Sequence, residues 1–151
     1  MSFSKAKWDI RFLRLAYREV AQWSKDPDEK VGCVVVSPDR RQVTFGYNGF
    51  PIGVADSRER LDDKETKNQL SVHAELNAIL NARRDLTGWT LYVTKAPCVD
   101  CAIAIIQAGI TRVVCSGIDP SSRWASNQQE ARKILMEAGV SGSDILREKF
   151  Q

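Results

Sequence analysis

Residues 89–115 read WTLYVTKAPCVDCAIAIIQAGITRVVC, and their pattern sets the architecture of the chain. Trp89 to Thr94 is rich in β-branched and aromatic residues, the composition of a strand, and it delivers the chain to Pro97. From about Val99 to Ala108 the apolar residues form a helical pattern, which Gly109 stops as a normal C-terminal glycine. Arg112 to Cys115 is then a second short strand. A helix of this length between two strands makes a parallel crossover, because antiparallel neighbours need only a tight turn. The class expected is α/β.

The bend in this stretch carries chemistry. Pro97-Cys98-Val99-Asp100-Cys101 places two thiols three residues apart at a helix start, where unpaired N–H groups and the positive dipole end favour thiolate. The single histidine, His73, lies upstream in Ser71-Val72-His73-Ala74-Glu75, which opens another helical pattern. These make three ligands. Zinc held by three protein groups keeps a fourth position for water, whereas structural zinc is closed by four. Glu75 stands where a carboxylate moves protons to and from that water without binding the metal. Cys33 and Cys115 sit inside apolar strand-like runs and read as small core residues, so one catalytic zinc per chain is expected.

Upstream, Ile10, Leu13, Ala16, Tyr17, Val20 and Trp23 recur at spacings of three and four within Phe3 to Ser24, with Trp8, Phe12 and Leu15 widening the face. This predicts a long amphipathic helix, ended by Asp26-Pro27-Asp28. Val31 to Val36 is a central strand, Ser37 to Arg40 a turn, and Gln42 to Tyr47 the returning strand of a hairpin. Gly46-Tyr47-Asn48-Gly49-Phe50-Pro51 reads locally as a tight turn, since Asn-Gly supplies positive φ. Ile52 to Gln69 is polar and without period, and is expected as a loop with at most one helical turn. Val72 to Ala82 predicts a helix with Val72, Leu76, Ile79 and Leu80 on its buried face.

Downstream, the loop from Gly117 to Ser122 leads to Trp124 and a last helix, Ala125 to Ala138, with Ala131, Ile134, Leu135 and Ala138 buried and Gly139 as its stop. Asp144-Ile145-Leu146 is expected as a short final strand. The order α-β-β-α-β-α-β-α with a closing β predicts a mixed five-stranded sheet with helices on both faces. Zinc then bridges two helix starts at the carboxyl edge of that sheet.

Composition bounds the partners. At 151 residues and 43% hydrophobic content, one domain spanning 1–151 is expected. The net charge is +3 and basic runs stop at the pairs Arg40-Arg41 and Arg83-Arg84, which argues against long nucleic acid and allows a small anionic substrate. No stretch approaches about 18 uninterrupted apolar residues, and Met1 to Lys7 lacks the features of a signal peptide. With no disulfide pattern among the four cysteines, a reducing cytoplasm is expected and a membrane partner is not.

His73-Ala74-Glu75 followed by Pro97-Cys98-Val99-Asp100-Cys101 matches the zinc nucleobase deaminase signature H-x-E…P-C-x-x-C. From about Trp8 to Leu146 the chain resembles the deoxycytidylate (dCMP) deaminases of the cytidine deaminase superfamily. The resemblance rests on Gly46-Tyr47-Asn48-Gly49-Phe50-Pro51, Val72-His73-Ala74-Glu75 and Pro97 to Cys101, with Ile105-Ile106-Gln107-Ala108-Gly109-Ile110 in support. It implies a cytidine deaminase-like three-layer α/β/α sandwich that hydrolyses dCMP to dUMP and ammonia, supplying dUMP for thymidylate synthesis. It implies zinc on His73, Cys98 and Cys101, proton transfer by Glu75, and contact between Asn48 and the nucleotide. It also implies a homohexamer activated by dCTP and inhibited by dTTP, with Mg2+ accompanying the triphosphate and Gly46, Tyr47, Asn48, Gly49 and Phe50 helping to build the regulatory site. Some relatives carry a second, structural zinc, for which this sequence has no further histidine.

Around that frame, backbone groups near Ala74 and Ala96 are expected to bind the base edge. Trp124 reads either as a platform for base or sugar or as a core or interface residue. The phosphate ligands stay open among Ser24, Lys25, Arg123 and other cations. Two alternatives stand beside the first reading. One is a zinc deaminase acting on a free base or on tRNA adenosine, the latter needing a more basic surface. The other is a non-catalytic zinc-stabilised module, which needs a fourth protein ligand.

Overall fold

In the computed structural model, which describes residues 2–151 and side chains from residue 5 onward, the expected crossover is formed by β3 (Thr90–Val93), α5 (Val99–Gln107) and β4 (Arg112–Cys115). Met1 lies outside the described residues. Strands β3 and β4 pair in parallel, Leu91 beside Val113 and Val93 beside Cys115. On the other side of β3 lies the hairpin of β1 (Gly32–Val36) and β2 (Val43–Tyr47), both joints antiparallel. With β5 (Ser141–Asp144) parallel to β4, the sheet is mixed and five-stranded in the order β2-β1-β3-β4-β5.

Strand alternation sorts the core into two halves. Cys33 and Val35 of β1 point with Leu91, Val93, Val113 and Cys115 toward α4 (Ala74–Ala82), α5 and α6 (Ala125–Glu137). Val34 and Val36 point with Tyr92 and Val114 toward Phe12, Leu13 and Ala16 of α1 (Ser2–Arg18) and toward Phe150. The result is the expected three-layer α/β/α sandwich, with β1 buried along its whole length. No helix among the described residues is long and apolar enough to cross a membrane.

Five local expectations are corrected. The first helix ends at Arg18, and Val20–Trp23 winds as a 3₁₀ turn that buries Val20 and Ala21 while leaving Trp23 half exposed. The final strand starts at Ser141, not Asp144. Gly139, at φ +82°, ends α6, Val140 N–H bonds back to Leu135, and pairing with β4 begins one residue later. Ser-Gly-Ser-Asp has no β-branched residue to signal it.

The segment expected as a loop holds two short helices, α2 (Arg58–Asp62) and α3 (Lys64–Leu70). Ser57 caps the first by accepting from Arg60 N–H, and Asp63 caps the second by accepting from Glu65 N–H. Each helix buries one residue, Leu61 or Lys67, so no apolar period exists to be read.

The buried face of α4 also differs. Ala74, Glu75 and Ala78 are buried, whereas Leu80 is 60% exposed. The helix lies directly on β2: a Cβ at Gly46 would stand 2.2 Å from Ala78 N and 2.3 Å from Ala74 O. Small residues permit that approach and leucines do not. On α6 the buried face is Ala125, Gln128, Ala131 and Leu135, with Ala138 exposed.

Candidate metal centre and active site

His73 and Cys98 occupy the same position on two helices. Each has extended backbone immediately before its helix, His73 at φ −69°, ψ 152° ahead of α4 and Cys98 at φ −79°, ψ 173° ahead of α5, while Cys101 lies in the first turn of α5. Strand β3 delivers Cys98. His73 is delivered by a bridge between Gly49 and Val72, whose N–H groups bond the opposite carbonyls at 3.2 and 2.7 Å.

The donor atoms of His73, Cys98 and Cys101 lie within 4.8 Å of one another. His73 Nδ1 is 3.3 Å from Cys101 Sγ and 3.5 Å from Cys98 Sγ. A tetrahedral zinc with Zn–S of about 2.3 Å and Zn–N of about 2.0 Å spans N···S edges of about 3.5 Å, so the triangle fits that ion. Glu75 stands beside this group and not in it.

The electrostatics suit the ligand types. The Cys98 thiol is lowered, first by the neighbouring Cys101 thiol and then, against burial, by His73. Cys101 is raised by the same neighbour and by burial. His73 is raised chiefly through its hydrogen bond to Cys98. Burial lifts Glu75 above the ordinary carboxylate range, opposed by a backbone hydrogen bond and by His73. Cys33 of β1 lies close enough to Glu75 that burial and then the carboxylate charge push its thiol well above its ordinary value.

His73, Cys98 and Glu75 face a cavity of about 140 Å3, which Asn48, Ala74, Ala96, Lys95, Arg123 and Trp124 also line. Asn48 is buried, with Oδ1 accepting from Val31 N–H at 2.9 Å and Nδ2 donating to Glu29 O at 2.9 Å and to Asp26 Oδ2 at 3.3 Å. The Ala96 carbonyl accepts from Gln128 Nε2 at 2.9 Å. Trp124 is half-buried at the cavity, with Lys95 Nζ 5.5 Å and the Arg123 guanidinium 5.4 Å from its ring centroid.

Other expected residues fall elsewhere. Ser24 is buried outside the cavity lining, its hydroxyl donating to the Asn48 carbonyl at 2.8 Å, and Lys25 is an exposed partner of Asp56. Gly46 is pinned under α4, Tyr47 is exposed on the edge strand, Gly49 forms the bridge to Val72, and Phe50 is half-buried beside it.

Several contributors carried no motif. Lys95, ion-paired with Glu29 at 3.0 Å, directly precedes Ala96-Pro97-Cys98, and that adjacency was its signal. Gln128 sits three residues before Ala131 on the buried face of α6, where a polar residue needs a partner. Asn127 accepts from Val99 N–H at 2.9 Å and so caps α5 from a distance, which no local pattern reveals. A larger cleft of about 410 Å3 between α6 and β5 shares Ala96 and Gln128 with the cavity, but the metal-donor group faces only the smaller space.

Comparison with known proteins agrees with this geometry. Residues 6–117 match the family described as the cytidine and deoxycytidylate deaminase zinc-binding region. A deaminase of Aliivibrio fischeri, known from the region 3' of luxG, is 44% identical over 137 residues, covering 89% of this chain and 91% of that protein. The deoxycytidylate deaminase of Homo sapiens is 41% identical over 143 residues, covering 89% and 78%. The crystal structure of the dCMP deaminase from cyanophage S-TIM5 superposes with a TM-score of 0.71 over 92% of this chain and 98% of that one, a likeness of fold at 24% identity.

Proposed function

The chain belongs to the cytidine and deoxycytidylate deaminase zinc-binding family, and from that premise we propose that it hydrolyses dCMP to dUMP and ammonia. The observation that carries this reading is the triangle of His73, Cys98 and Cys101 with Glu75 buried beside it at an open cavity. His73, Cys98 and Cys101 would hold one zinc ion per chain. Zinc so held supplies a Lewis acid that brings the pKa of water from about 16 toward about 7.

Glu75 takes a proton from the attacking water and delivers one to N3 of the cytosine as C4 becomes tetrahedral. It then takes the proton of the new hydroxyl on C4 and passes it to the amino nitrogen, so that the C4–N bond breaks, C4=O forms and ammonia leaves. Burial raises the Glu75 carboxyl, which favours its carrying the proton between the two transfers. Backbone groups of Ala74 and Ala96 face the base edge, Asn48 meets the nucleotide, and Trp124 offers a stacking surface. Lys95 and Arg123 flank that ring as the cations for a 5'-phosphate.

Ammonia release from dCMP, deoxycytidine, cytosine and adenosine-bearing tRNA tests the assignment. Selective turnover of dCMP is expected, and preference for any other substrate ends it. A zinc-stabilised binding module remains only if all four are left intact.

Membership also leads us to place the enzyme in the cytoplasm as a homohexamer that supplies dUMP for thymidylate synthesis, activated by dCTP and inhibited by dTTP, with Mg2+ accompanying the triphosphate. The segment Gly46 to Phe50 adjoins an exposed aromatic face made by Trp23 of the 3₁₀ turn with Phe45 and Tyr47 of the edge strand, the kind of surface that copies of a chain cover. Velocity against dCMP with either triphosphate added checks the regulation. Curves that stay hyperbolic and indifferent to both remove it.

A further inference from the structure

Strand β3 reaches the metal-donor group through Lys95, Ala96 and Pro97, and the backbone of this stretch carries one hydrogen bond among the described residues. Gln128 Nε2 donates to the Ala96 carbonyl at 2.9 Å. A carbonyl only accepts, so the amide is oriented with its NH2 on Ala96. Gln128 is 4% exposed and belongs to α6, whose buried face is otherwise Ala125, Ala131 and Leu135. An amide buried there costs free energy unless it has a partner, and the Ala96 carbonyl is the partner it has.

Beyond Cys98 the chain is held twice. Cys98 O accepts from Ala102 N–H at 2.9 Å, the first rung of α5, and Val99 N–H donates to Asn127 Oδ1 at 2.9 Å. The other two metal donors are equally secure, because Cys101 lies inside α5 and His73 follows the bridge between Gly49 and Val72. Only the approach to Cys98 depends on one bond from another element. The Ala96–Pro97 peptide is planar and the proline ring locks φ at about −65°, so fixing the Ala96 carbonyl leaves ψ of Pro97 as the sole soft torsion before Cys98.

Resting on the zinc reading above, we propose that Gln128, acting through the Ala96 carbonyl, is a positioning residue that holds Cys98 in place as a ligand before the metal arrives. Without its amide, the approach to α5 samples other orientations, and zinc binds only the fraction of chains in which Cys98 stands with His73 and Cys101. The apparent affinity falls by that fraction.

The test is the zinc affinity of the full chain, measured by competition with a chromophoric chelator. Gln128→Met fills similar space without a donor and should weaken zinc by about tenfold or more, the range for a lost hydrogen bond that supports a ligand. Leu135→Ala removes a buried contact from the same helix face and leaves the Ala96 bond intact. It should lower the denaturant midpoint and keep zinc affinity within about twofold. Asn127→Ala should stay within about threefold, because Ala102 still holds the far side of Cys98. Should Gln128→Met not fold, Gln128→Ala removes the donor and keeps a good helix former. A folded Gln128 variant that binds zinc as tightly as the wild type overturns the proposal. So does a Leu135→Ala or Asn127→Ala chain that loses as much affinity as the Gln128 variant. A wild-type chain that takes up no zinc defeats the reading beneath it, and the inference falls with it.

Discussion

Cys98 and Cys101 open α5 beside His73, whereas Cys33 and Cys115 are embedded in β1 and β4, and the same side chain joins a metal-donor group in one setting and the core in the other. At the helix start, the neighbouring Cys101 thiol and then, against burial, His73 and the Cys101 backbone N–H draw Cys98 below its ordinary value. In the sheet, burial pushes Cys33 well above its ordinary value, and burial followed by the Asp144 carboxylate pushes Cys115 up to about 12. A thiol becomes a ligand where the backbone ends a strand and begins a helix. It stays an inert core residue one element away.

The contrast breaks most sharply on metal content. Cys98→Ser or Cys101→Ser should leave about a tenth or less of the wild-type zinc per chain and no deamination above background, because an open site has no spare protein donor. Cys33→Ala and Cys115→Ala should keep the wild-type zinc stoichiometry. Metal analysis of the purified variants decides it, and zinc lost equally from all four would erase the distinction. Glu75→Gln comes next: zinc retained, kcat lowered by about 100-fold to 10,000-fold as the proton carrier is removed. Unchanged ammonia release with bound metal would clear Glu75 of the role.

How much of this contrast the sequence carried depends on range. The crossover from Trp89 to Cys115 was legible because period, proline and glycine agree over one continuous stretch. The metal-donor group was legible because the chain has one histidine and the signature places it. Lys67, Gln128 and Asn127 were not, since each acts on a residue 28 to 41 positions away and no local pattern records the partner. Helices α2 and α3 escaped for a related reason, being held by caps rather than by an apolar stripe.

Gly46 sharpens the comparison from the structural side. The resemblance gave it to a regulatory segment, but its position sets the seat of α4, and with it both His73 and Glu75. In Gly46→Ala the new methyl meets backbone atoms of Ala74 and Ala78, which cannot rotate away, so α4 has to lift from β2. A loss of about 3 kcal/mol by denaturant titration is expected, at the upper end for overpacking. Deamination should fall with it, by up to about 100-fold for a displacement near 1 Å. Full stability in this variant would show that the helix has room the geometry denies.

The smallest effect separates a core thiol from a ligand thiol by its response to alkali. Cys115 titrates at about 12 in the folded chain, while the unfolded chain releases the same proton at about 8.5. Because the folded value is the raised one, its contribution to stability is complete below about pH 8.5 and drains away as pH climbs toward 12. By about pH 9.5 the wild type should have lost ~1.4 kcal/mol on this account, relative to neutral pH. Cys115→Ala lacks the group and should not lose it. The cavity left by the substitution lowers its stability at every pH alike, and Cys33, the lysines and the tyrosines titrate in both chains, so the measured quantity is the gap between them. Denaturant unfolding at about pH 7 and about pH 9.5 should find that gap narrowed by roughly the stated amount. A gap of constant width would mean that the β4 thiol ionises as freely as one in water, and the distinction between the two cysteine pairs would then rest on metal binding alone.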